Sequence, residues 1–389
     1  MKMKKSVGKV LLLSAATCVC ADMDVSALVT VPMGDRPDAN HAWAVHDRHR
    51  PEPVKVEVPD SGVPSDAMML FDGTLDSIAR NWCDENGNPT KWTVEDGCFV
   101  SRPGAGGAFT RMLFGDCQLH VEFRIPDPPG EGRGNSGVIL QSRYEVQVID
   151  SHTLIPPEDP GERAWAHGDY ADGQAGAIYG QHPPLVNPSR APGRWQSYDI
   201  VFHPPLEVDG KIVDPGSITV FMNGVLVQDS WPLEGRCKWR YRPDPDDRVA
   251  EGPLRLQDHG NPVAYRNIWI RRLPSRFADT TGGGPGTDPA AVAKLRGETS
   301  SAVLSWAKTL ADQEKRLMAL AEAWAYCPAP GTRSLLDVAA RDWMKAVDAG
   351  HVPDPYMARF AEMCVRNGIF KADDPIVRKM IPPSGEMPK

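Results

Sequence analysis

The stretch GPLRLQDHGNPVAYRNIWIRRL, Gly252 to Leu273, carries two β-type patterns around a polar turn at Gly260. Tyr265 to Leu273 reads as a strand. In the first half, Leu254, Leu256 and Asp258 fall on one parity, and Arg255, Gln257 and His259 on the other. Successive side chains on a strand point to opposite faces. This strand therefore has an apolar face for a core and a polar face holding a cation, an amide and an imidazole. Histidine titrates near neutrality and is a frequent metal ligand. The bland alternative is a histidine with a purely structural role.

The same period recurs upstream. Leu119, Val121, Phe123 and Ile125 alternate with His120, Glu122 and Arg124, the pattern of a half-buried strand. Trp92 to Val100 reads as a hairpin turning at Asp96-Gly97, and Ser217 to Val227 as another turning at Asn223-Gly224. Many short strands with polar turns and no intervening helical pattern predict an antiparallel β-sandwich. The chain's 35 glycines and 37 prolines favour turns and loops over a helical bundle.

The 389 residues divide by composition. Lys2, Lys4, Lys5 and Lys9, the apolar run Val10–Ala16 and the small-residue end at Ala21 fit a secretory signal over 1–21. They predict an exported protein, periplasmic or extracellular. A lipid anchor on Cys18 or Cys20 is disfavoured by the flanking Thr17 and Val19. Residues 22–67 are polar, proline-rich and aperiodic, the composition of a linker or arm. The β pattern covers 68–275, followed by a Gly-rich linker over 276–289. Over 290–389 the period becomes helical, with Val303, Trp306, Leu310, Leu317, Leu320 and Trp324 on one face. No run is long and apolar enough to span a bilayer. No basic run marks a nucleic-acid partner, and the net charge is −8. Beyond the signal, six cysteines at irregular spacing (Cys83, Cys98, Cys117, Cys237, Cys327, Cys364) are either disulfides or buried thiols. The oligomeric state is not legible.

Two segments concentrate polar chemistry. In Tyr144-Glu-Val-Gln-Val-Ile-Asp150, the tyrosine and valines face a core, while Glu145 and Gln147 share the opposite face, roughly 7 Å apart. The alternative is an ordinary solvated face. Asp150 opens a long loop, Asp150 to Arg194, rich in Gly, Pro and His. Long loops on a rigid sheet usually serve binding. Gly134-Asn135-Ser136-Gly137 is a tight turn into a further strand. G-x-S-x-G, H-E-x-x-H and P-loop patterns are absent, and no G-x-G-x-x-G follows a strand.

Seven motifs then fall in a recognisable order: LFDGTLD at 70–76, GNSGVIL at 134–140, YEVQVID at 144–150, GAIY at 176–179, GRWQSYDI at 193–200, NGVLVQD at 223–229, and the stretch at 252–273. Together they resemble the 3-keto-disaccharide hydrolase family, also named 3-keto-glucoside 1,2-lyase/3-keto-2-hydroxyglucal hydratase and once a domain of unknown function. The resemblance spans about 68 to 273. It implies a concanavalin-like sandwich, or jelly roll, in an exported sugar-degrading enzyme. The Asp150–Arg194 loop and the Pro232–Glu251 stretch are expanded relative to the compact family form, which leaves substrate identity open.

On that resemblance, Glu145 and His259 are assigned as base and acid, in either order, and Arg266 or Arg255 as the stabiliser of an enolate. Gln147 and Gln257 are assigned to sugar hydroxyls, with Asn135 and Tyr179 also at the substrate. Trp195 is either core or a stacking platform for a sugar. Glu145, Asp150 and His259 are candidate ligands for a divalent metal such as calcium, zinc or manganese. No organic cofactor is expected, and the partner is a 3-keto-glycoside or other oligosaccharide. The rival readings are a non-catalytic glycan-binding module and a classical glycoside hydrolase of the same fold. The latter needs two flanking carboxylates, whereas this strand offers one acid and one amide.

Overall fold

The computed structural model describes residues 34–60, 62–154, 170–245, 248–275, 280–284 and 286–381. The expected signal at 1–21 and the middle of the long loop, 155–169, lie outside the described residues. The chain forms two compact units, one of residues 54–275 and one combining 1–53 with 276–389.

The first unit is the expected antiparallel sandwich. Its larger sheet runs in the order Val225–Pro232, Ser217–Met222, Gln196–His203, Cys117–Arg124, Ala264–Arg272, Cys98–Val100 and Thr93–Glu95, with Met68–Phe71 also pairing on Ala264–Arg272. Its smaller sheet runs Trp82–Cys83, Ala108–Phe114, Gly252–Leu256, Ser136–Leu140 and Tyr144–Val148. Both expected hairpins form. Asp96 and Gly97, like Asn223 and Gly224, have positive φ at both central positions, which matches the turn to the strand twist.

Alternation decides what fills the space between the sheets. The larger sheet contributes Leu119, Val121, Phe123, Tyr198, Ile200 and Phe202; the smaller contributes Val138, Leu140, Tyr144, Val146, Val148, Leu254 and Leu256. Each such side chain contributes roughly 1.5–3 kcal/mol by leaving water. Two phenols cross this core. The Tyr198 hydroxyl donates to the Gln147 carbonyl at 2.6 Å, and the Tyr265 hydroxyl shares a 2.7 Å hydrogen bond with Ser136 Oγ. Ser136 Oγ also donates to the Gln257 carbonyl at 2.6 Å. Buried polar groups need such partners. Here they tie the smaller sheet to the larger one at Gln147 and Gln257.

In the second unit the helices Pro289–Ala307, Gln313–Tyr326, Pro330–Asp348, Tyr356–Arg366 and Pro375–Met380 enclose Leu317, Leu320, Leu336, Trp343, Met357 and Phe360. Within the linker or arm expected at 22–67, residues 34–53 belong to the helical unit. The Glu322 carboxylate accepts from Arg48 at 2.8 Å and pairs with His49 Nε2 at 2.9 Å. Tyr326 hydrogen-bonds Asp47, and Ala44 joins the helical core. Polar contacts and backbone hydrogen bonds hold this segment, so no apolar period announces it. Cys83, Cys98, Cys117, Cys237, Cys327 and Cys364 are all free thiols. Among the described residues no helix is long and apolar enough to cross a membrane.

Candidate active site

Strand register assembles the site on the outer face of the smaller sheet. Arg255 pairs with Ile139, and Ile139 with Glu145, so one row crosses three strands. In the next row, Gln257 N–H donates to the Gly137 carbonyl at 3.0 Å, and Gly137 pairs with Gln147. Neighbouring strands stand about 4.8 Å apart, which brings a cation, a carboxylate and two amides onto one patch. A Cβ on Gly137 would overlap Glu145 Oε1, so glycine leaves the space in which the carboxylate lies.

These residues floor a cavity of about 600 Å³, within the usual range for small-molecule sites. Its lining includes Asn135, Glu145, Gln147, Tyr179, Arg255, Gln257 and His259. The sequence readings for these seven thus converge on one place. Asn135 sits at the turn into Ser136–Leu140, and its carbonyl accepts from Asn261 Nδ2 at 3.3 Å. His259 is exposed on the rim. The neighbouring Asp258 is committed elsewhere, accepting from Gly106 N at 3.1 Å and Gly260 N at 2.9 Å.

Glu145 is the electrostatic centre. It is 9% exposed, and among the described residues nothing donates a hydrogen bond to its carboxylate. Burial penalises the charged form and raises its pKa from the ordinary 4.5 to about 7; the Arg255 charge works against that rise. Arg255 packs on the Phe109 ring at 5.4 Å. Its buried Nε and the buried Oε1 of Gln257 lack hydrogen-bond partners among the described residues. An unpaired buried polar group costs about 1–3 kcal/mol, and a polar ligand in the cavity would relieve it.

The walls come from loops. Tyr179 N–H donates to the Glu145 carbonyl at 3.0 Å, and Gln147 N–H to Ala177 at 3.0 Å, so residues 177–179 flank the Tyr144–Val148 edge. Burial raises the Tyr179 phenol well above its usual range and keeps it a donor; its oxygen lies 3.3 Å from that of Tyr170. Cys237 N–H donates to the Arg143 carbonyl at 2.8 Å, bringing Arg236 and Trp239 to the adjoining wall. Sequence reasoning missed Arg143, Tyr170, Arg236, Cys237 and Trp239. The available signal was that they lie beside the sheet or in the two expanded loops.

Three expected site residues lie elsewhere. Arg266 belongs to the larger sheet, where its Nε donates to Glu122 Oε2 at 2.7 Å. Trp195 packs on Cys98, Val100 and Ala264, beneath the guanidinium groups of Arg266 at 4.0 Å and Arg124 at 4.8 Å. Arg266 lies in the larger sheet and Trp195 just precedes its strand Gln196–His203, on the side away from the cavity. Asp150 is buried and accepts from His152 N at 2.9 Å and from Thr153, ordering the turn that opens the long loop. Among the described residues no group of three or more His, Cys, Asp or Glu is arranged to hold a metal, so the expected Glu145–Asp150–His259 ligand set does not fit.

Comparison with known proteins bears on the family and the fold. A curated 3-keto-disaccharide hydrolase from Bacteroides thetaiotaomicron is 23% identical over 288 residues, covering 66% of this chain and 97% of the relative. A crystal structure from Parabacteroides distasonis, of a protein provisionally assigned as a glycosyl hydrolase, is 35% identical; the match covers 58% of this chain and 94% of that one, with a TM-score of 0.51. Residues 66–271, more than half the chain, match the family described as the 3-keto-alpha-glucoside-1,2-lyase-like domain. The sandwich, its register and these matches place the chain in that family of carbohydrate-active enzymes.

Proposed function

We propose that the sandwich cleaves 3-keto-glycosides by elimination across C1–C2 followed by hydration, a net hydrolysis. The observation that carries this reading is Glu145, a desolvated carboxylate whose pKa of about 7 suits a general base, with Arg255 in the same row. A ketone at C3 acidifies the proton on C2. Glu145 takes that proton, and the electron pair forms an enolate whose oxygen Arg255 stabilises. The enolate collapses: the C3 carbonyl returns, C1 and C2 become doubly bonded, and the bond from C1 to the aglycone oxygen breaks. His259, on the rim, is assigned to protonate that oxygen. Water then adds its hydroxyl to C1 while its proton passes to His259, restoring the acid, and Glu145 returns the proton to C2. Asn135, Gln147, Gln257 and Tyr179 are assigned to hold the sugar hydroxyls. No step is routed through a metal.

Among the described lining residues of the cavity, Glu145 is the one carboxylate. A classical glycosidase needs a second carboxyl group across the bond, so the lining favours the enolate route. The curated relative's name points the same way. The test supplies the purified full chain with a 3-keto-glucoside and with its unoxidised parent, following products by mass spectrometry and NMR. Release from the 3-keto substrate alone is expected. Comparable cleavage of the parent would overturn the mechanism. Binding of either without turnover would make the domain a glycan-binding module.

A further inference from the structure

A second basin adjoins the first. It encloses about 470 Å³ and shares Tyr170, Tyr179 and Trp239 with the inner cavity as common walls. Half of its remaining lining is cationic. Lys238, Arg240 and Arg242 alternate with Trp239 and Tyr241 along one segment, and Asp172 is the one carboxylate among the described lining residues. This concentration of positive charge sits in a chain whose net charge is −8. Residues 239–241 form a turn, with Arg240 at φ of +61°. Such a backbone costs on the order of 1 kcal/mol for a residue other than glycine, and recurs where a side chain must be aimed. Here the Arg240 guanidinium lies 4.4 Å from the centre of the Trp239 ring. Lys238 and Arg242 have no ion-pair or hydrogen-bond partner for their side chains among the described residues. Trp239 and Tyr241 are 59% and 74% exposed, large apolar faces left open beside these charges.

Resting on the reading of the inner cavity as the 3-keto-sugar site, we propose that the outer basin is the leaving-group subsite and that it selects an aglycone bearing an anionic group, a carboxylate or a sulfate ester. Aromatic faces stack on the aglycone ring, and Lys238, Arg240 and Arg242 meet its charge. Charge-assisted contacts to oxyanions are the stronger class of hydrogen bond, and cations at a cavity rim raise encounter rates for anionic ligands.

The test uses three 3-keto-glucosides with the same aromatic aglycone, left neutral, carboxylated or sulfated. The wild-type full chain should process at least one anionic substrate about tenfold more efficiently in kcat/KM than the neutral one, on the order expected for rim charges. That ratio should shrink in rising salt and fall towards one in the double variant Lys238→Gln/Arg242→Gln. Which anionic substrate leads separates carboxylate from sulfate. A ratio near one in wild type, or an unaltered ratio in the double variant, overturns the subsite. Binding of the corresponding unoxidised glucosides, followed by NMR, is read in parallel. If no 3-keto substrate turns over but the anionic parent binds the wild type and not the double variant, the elimination chemistry fails and the anionic subsite stands. If the neutral and anionic parents bind equally, the subsite fails whatever the turnover.

Discussion

Replacing Glu145 by glutamine separates the chemistry from the stability in one experiment. In the wild type, the folded state holds the Glu145 proton with a pKa near 7, against 4.5 as the ordinary value. Between those values the folded state binds more protons than the unfolded state, so stability falls as pH rises. The full contribution is present below about pH 4.5 and is lost above about pH 7. Each pH unit of displacement corresponds to about 1.4 kcal/mol. The stability of Glu145→Gln minus that of wild type should therefore rise by roughly 2–3 kcal/mol between pH 5 and pH 8. Taking the difference cancels the other titrating groups and any constant effect of the amide. Urea unfolding of the sandwich at several pH values reads it directly. In the same preparations, wild-type kcat/KM should rise with pH and level off above about 7, and the variant should lose on the order of 10²–10⁴-fold. A flat stability difference across this window would refute the claim that a desolvated carboxylate lies in the cavity. A fully active glutamine variant would refute its role as base.

Gly137→Ala should push the Glu145 carboxylate out of its space; activity should fall on the order of 100-fold for a shift of about 1 Å, with the inflection of the pH–rate profile displaced. Arg255→Gln removes the charge that opposes the rise of Glu145, so the inflection should move to higher pH while kcat/KM drops on the order of 10²–10³-fold. Arg266→Gln breaks a partly exposed pair with Glu122 and the guanidinium contact over Trp195, both on the opposite side of the sandwich; thermal unfolding should report a loss of about 1–2 kcal/mol, and kcat/KM should hold within about twofold.

Alternation made the sandwich legible, because burial on one face imposes a period of two that survives in sequence. It also placed Glu145 with Gln147, and Arg255 with Gln257 and His259, on shared faces. What alternation cannot supply is register between distant strands. That Ile139 and Gly137 stand between the two polar sets follows only from the pairing. Arg266 shows the same limit from the other side. Its strand was recognised, but the sheet it joined was not, and a register irregularity lies between Arg266 and Trp269. Tyr170, Arg236 and Trp239 come from loops with no period, held by individual backbone hydrogen bonds. The segment at 34–53 was opaque for a related reason: an ion pair and a phenol–carboxylate contact leave no repeating pattern.

That last segment changes how the chain bears load. The sandwich is an insertion within the helical unit, whose two halves are joined through Glu322, Tyr326 and Asp47. Tension applied at residues 34 and 381 therefore meets first the bonds of Asn367 to Gly34 O and Arg36 N, then the contacts of Asp47, Arg48 and His49, before it reaches the intervening 54–275. The segment that looks dispensable in sequence thus stands between the chain's described ends and the fold inserted beyond it.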